Sequence, residues 1–81
     1  MYIVCGIERK TGEFEGHSYD NLVLHTLTTR KGLDGQACSV FKFSLRKVPE
    51  STVNVLKSIK VGDKIGEIYY DQYRNPCGII K

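Results

Sequence analysis

A chain of 81 residues with 41% hydrophobic positions makes one domain around one modest core and leaves no room for a second. Twelve Lys and Arg against nine Asp and Glu give a net charge of +3 and a pI near 8.8, a basic excess below the usual footprint of a nucleic-acid-binding domain, so net charge alone selects no partner class. No apolar run reaches the length of a membrane span, and the first residues lack the basic region, apolar run and cleavage site of a secretory leader, which predicts a cytoplasmic chain with reduced thiols.

In chain order, Met1 to Arg9 is a β-rich run, followed by a turn candidate at Lys10-Thr11-Gly12-Glu13, with Glu13 and Glu15 on a hairpin tip. Tyr19 to Arg30 reads as a long second strand, and Lys31 to Gln36, with two glycines and an aspartate, as a loop. Ala37 to Lys47 is a third strand, where Phe41, Phe43 and Leu45 alternate with Lys42, Ser44 and Arg46. After Pro49, Ser51 or Thr52 is placed to cap a short helix with Val53, Leu56 and Ile59 at helical spacing, although Val53 and Val55 also alternate as in an extended segment. Val61 to Lys64 is a turn, Ile65 to Arg74 a fourth strand, Asn75-Pro76 a turn, and Gly78 to Lys81 a closing strand.

Five strands with at most one short helix between the third and fourth give an all-β class and the element order of a small Greek-key barrel, the OB-fold. Closure would remove the edges that so small a β protein otherwise exposes. An open SH3-like barrel, or a curved sheet that closes on dimerisation, is the competing architecture. Residues 1–81 form one domain in either case.

Little points to catalysis. Cys5, Cys38 and Cys77 are an odd, widely spaced set inside or beside apolar runs, where a thiol packs as a small hydrophobe. No Cys-x-x-Cys or His-x-x-x-His pair anchors a metal, so a zinc site would need Cys5, His17, His25, Cys38 and Cys77 to converge in space. Gly62-Asp63-Lys64 lacks the spaced glycines of a phosphate loop, and neither His17 nor His25 has a nucleophile placed beside it. The reading is a non-enzyme without cofactor or metal. With no disulfide or metal to support so small a core, a homodimer is expected.

Aromatic and basic residues point to binding. Arg9-Lys10, Arg30-Lys31 and Arg46-Lys47 are doublets at expected strand ends, positioned to line one rim, and Lys42 lies opposite the Phe41/Phe43 face. Tyr69 and Tyr70, as strand neighbours, cannot both point inward, and Tyr19, Phe14 and Tyr73 offer planes on which bases stack beside a positive groove. The same tyrosines and arginines also suit a second class, a small barrel that recognises a protein partner.

The string Arg9, then Gly16-His17-Ser18-Tyr19 after a hairpin tip, then Val40 to Leu45, Val61-Gly62, and Asp71 with Arg74 before Pro76 resembles the gene V type of filamentous-phage single-stranded DNA-binding proteins. The resemblance spans most of the chain. It implies a dimeric OB-like protein that coats single-stranded DNA, or RNA, without reading sequence, in a phage or mobile-element setting. It further implies that Arg9 through Tyr19 form a DNA-binding wing, with Arg9 and Lys42 on phosphates and Tyr19 stacked on a base. Three positions depart from the family pattern: Phe14 stands where the family has a second wing arginine, Leu27 near an additional tyrosine, and Lys64 at a loop phenylalanine. The nucleic-acid-binding set expected from the sequence is therefore Arg9, Lys10, Phe14, Tyr19, Arg30, Lys42, Arg46, Tyr73 and Arg74.

Overall fold

A computed structural model describes all residues, 1–81. Its elements are β1 (Tyr2–Phe14), β2 (His17–Thr28), β3 (Ala37–Ser44), α1 (Glu50–Ser58), β4 (Lys64–Ile65), β5 (Glu67–Tyr70) and β6 (Pro76–Ile80). The first four strands form a curled antiparallel sheet in the order β3-β2-β1-β4, and β5 and β6 form a separate hairpin. The result is an all-β half-barrel with one short helix between β3 and β4, the element order expected of an OB-like chain. Hairpin β5-β6 lies against β3 and α1 and covers the open side.

The turn between β1 and β2 comes later than the Lys10–Glu13 string suggests. Glu15 and Gly16 both take positive φ, 50° and 79°, the pair of left-handed residues that a two-residue hairpin turn requires. Residues 10–13 are therefore strand, and the hairpin runs out to Phe14↔His17. This wing projects beyond the core and draws the molecule out to 46 × 26 × 24 Å.

Near its base β1 carries a bulge. Val4 pairs with Thr26 but Gly6 with His25, so Cys5 is one extra residue in the strand. Before it, Tyr2 and Val4 point inward. After it, the register puts Ile7 opposite Leu24 and Arg9 opposite Leu22 on that same inner face, leaving Lys10, Gly12 and Phe14 on the outer one.

The core is Val4, Leu24, Phe41, Phe43, Leu56, Ile59, Ile65 and Ile79, with Tyr2 packed edge-on against Phe41 at a ring separation of 5.0 Å. Only 11 of 81 residues are buried, so each large core side chain carries a big share of the stability. A helix forms after Pro49 as expected, but α1 starts at Glu50, so Ser51 and Thr52 lie inside its first turn instead of capping it. Its acidic Glu50 and basic Lys57 suit the helix dipole at the two ends, and Thr52, Leu56 and Ile59 line its inward face. No side chain caps it. The Pro49 carbonyl accepts from the Thr52 and Val53 amides instead, and the Thr52 hydroxyl donates to the Cys77 carbonyl at 2.9 Å.

The expected fourth strand, Ile65 to Arg74, is two strands and a turn. β4 pairs with β1 at Tyr2↔Ile65, and β5 pairs with β6 at Glu67↔Ile80. The chain changes partner at Gly66, whose amide donates to the Ile80 carbonyl at 2.7 Å. Past Tyr70 the Asp71 carboxylate accepts from the Tyr73 and Asn75 amides, which ends β5 and folds residues 71–75 into a turn.

Leu56→Ala is expected to cost about 2–5 kcal/mol, because a core this small cannot close over the cavity. Thr52→Val, which removes the donor from the part-buried Cys77 carbonyl, is expected to cost about 0.5–1.5 kcal/mol. Urea denaturation followed by far-ultraviolet circular dichroism checks both.

Candidate functional site

A groove of about 830 Å³ lies on the outer face of the sheet between the wing and the turn after β5. Phe14, Ser18 and Tyr19 form its wing side. Its floor is Asn21, Lys42 and Ser44 of β2 and β3, continued by Arg46 and Lys47, and its far wall is Asp71, Asn75, Pro76 and Cys77.

The groove residues of β1, β2 and β3 arrive there by strand parity. Tyr19 pairs with Gly12, Asn21 with Lys10 and Ser44, and Val23 with Glu8 and Lys42, all on the outer face. Phe14 is 69% and Tyr19 42% exposed, so both rings offer open surface. Lys42 is exposed opposite buried Phe41 and Phe43, as the alternation predicts. Arg46 donates to the Ser18 carbonyl at 3.2 Å, which ties the end of β3 to the wing while its charge stays at the groove. Lys42, Arg46 and Lys47 stand against one carboxylate, Asp71, whose Oδ1 is already engaged by the turn amides.

Four of the nine residues expected from the sequence, Phe14, Tyr19, Lys42 and Arg46, line this groove, and Lys10 shares its face beside Asn21. Tyr73 and Arg74 occupy the turn that forms the far wall without lining the groove, with Tyr73 75% exposed and Arg74 in the left-handed region at φ 64°. The doublets do not share a rim. Arg30-Lys31 lies past the far end of β2, roughly 35 Å from Tyr19 along a strand rising about 3.3 Å per residue. Arg9 is on the opposite face, where its guanidinium grips Asp20 at 3.0 and 2.7 Å.

The sequence reading left Asn21, Ser44 and Asn75 out of the binding set, treated His17 as structural and named Lys47 only as half of a basic doublet; all five line the groove. Asp71 and Asn75 had a visible signal, an Asx residue opening a turn that closes before Pro76. The five cysteines and histidines do not converge, and no three His, Cys, Asp or Glu side chains gather into a metal-binding cluster. No family model, curated protein or solved structure matches this chain.

Two carboxylates on the sheet are held below their ordinary range. Asp20 is lowered by the hydrogen bond from Arg9, with the charges of Arg9 and Arg46 adding to it, and Glu8 by its hydrogen bond with His25 and then by the charge of Lys10. A depressed carboxyl adds stability that is complete above its unfolded pKa, near 4, and is lost as the pH falls through the folded value. Amide protection factors across the wing pairs Arg9↔Leu22 to Glu13↔Ser18 are therefore expected to fall below about pH 4, before global unfolding, and Asp20→Asn to remove most of that pH dependence. Protection that stays level down to global acid unfolding would show that the pair does not hold the wing.

Proposed function

We propose that this protein binds single-stranded DNA without reading its sequence, with the strand lying in the groove between the wing and the turn after β5. The observation that carries the reading is the meeting on one face of two open rings, Phe14 and Tyr19, with three cations, Lys42, Arg46 and Lys47. Bases have planes that stack on such rings, and phosphates pair with such cations, whatever the sequence. Arg9 is left out of the phosphate-binding set, since its guanidinium is occupied by Asp20 on the other face. The three cysteines are unpaired, which suits a reducing cytoplasm.

A dT oligomer is expected to bind more tightly than duplex of equal length, with affinity falling steeply as salt rises because bound phosphates release counterions. Lys42→Ala and Arg46→Ala should each shallow the salt slope by about 0.7 for every phosphate no longer neutralised. Tyr19→Ala should cost ~1–3 kcal/mol in affinity, while Tyr19→Phe keeps most of it. Fluorescence anisotropy at two salt concentrations decides. Equal binding of duplex removes the stacking role, a preference for an RNA oligomer reassigns the ligand, and no binding at low salt removes the reading.

The same proposal includes a second copy of the chain. Beyond Val4 the outer edge of β1 has no strand partner, so Ile7 to Phe14 present a row of free amides and carbonyls, with Ile7 partly exposed. An open edge of that length is a template for another strand. Sedimentation equilibrium at micromolar concentration should give a dimer; a stable monomer rejects the second copy.

A further inference from the structure

We propose that Gly12 is a positioning residue, the seat on which the Tyr19 ring rests. The inference builds on the reading of Tyr19 as a stacking platform and names what holds that platform in place. Gly12 and Tyr19 are direct cross-strand partners on the groove face. A Cβ at Gly12 would lie 2.5 Å from Tyr19 Oη, 2.7 Å from Cζ and 3.0 Å from Cε1, so the ring lies across the Gly12 backbone in space that only glycine leaves open.

The backbone supplies no other reason for this glycine. Gly16, four residues on, has φ 79° for the turn and nothing within 4 Å of its missing side chain, whereas Gly12 has no left-handed φ and is crowded. Glycine inside a strand weakens it unless something approaches closely, and an aromatic ring laid over a strand glycine is a known way to recover the loss. A looser copy occurs on the other hairpin, where the Tyr69 side chain passes 3.2–3.7 Å from the position a Gly78 Cβ would take. With one face of the Tyr19 ring against the strand, the other is free for a base, and a ring already fixed loses little rotamer freedom when a base arrives.

The test has one readout that needs no nucleic acid. In the wild-type protein the Gly12 Hα resonances should be shifted upfield by the Tyr19 ring current and should return toward ordinary values in Tyr19→Ala. Gly12→Ala should lower dT-oligomer affinity several-fold while unfolding stays cooperative, and should have no further effect in a Tyr19→Ala background. Absence of the upfield shift overturns the proposal, as does an equal loss of affinity from Gly12→Ala in both backgrounds. If the upfield shift is present but wild-type protein does not bind the oligomer, the seat stands and the single-strand reading falls.

Discussion

One extra residue in β1 governs which way the protein faces. Side chains alternate with a period of two, so a strand that buries Val4 would, without interruption, also turn Gly12 and Phe14 toward the core side and Ile7 and Arg9 away from it. The bulge at Cys5 reverses that assignment halfway up the strand. Ile7 gains the company of Leu22 and Leu24, and the wing beyond presents Lys10, the Gly12 strip under Tyr19, and Phe14 to the same side as Lys42. The core and the groove are thus both consequences of a single irregularity in hydrogen bonding.

That irregularity also marks the boundary between what can and cannot be read from the residues. β3 is regular, and its Phe41-Lys42-Phe43 alternation places each side chain correctly without further information. Tyr19 lies on the groove face because β2 keeps its period from Tyr19 through Leu24. The family resemblance and its place in a basic doublet put Arg9 on phosphate, and the inserted residue that turns it to the other face has only one sign in the sequence, a glycine, Gly6, inside the strand. The early turn expected at Lys10–Glu13 has a related origin: a run of polar residues with a glycine describes a solvated wing strand as well as it describes a loop. The break at Gly66 is hidden too, since a strand that changes partner in mid-course has the composition of one that does not.

The electrostatic layout of the groove follows from similarly local bonds. The one carboxylate among its lining residues, Asp71, has its Oδ1 bonded to the amides of its own turn, while on the outer face Glu8 is bonded to His25 and on the opposite face Asp20 to Arg9. Among the lining residues, three cations, Lys42, Arg46 and Lys47, face one carboxylate, although the chain as a whole is only mildly basic. A short field of positive charge needs no large net charge when neighbouring carboxylates are turned to internal use.

The hydrogen bond from Thr52 to the Cys77 carbonyl joins α1 to the far wall of the groove. It makes the helix a strut. Both walls are tied to the body, the wing by Arg46 on the Ser18 carbonyl and the far wall by Thr52 on the Cys77 carbonyl. Arg46 is both a tie and a groove cation, so a ligand that takes up its charge would compete with the bond that holds the wing, whereas Thr52 does not line the groove and its strut is not open to such competition.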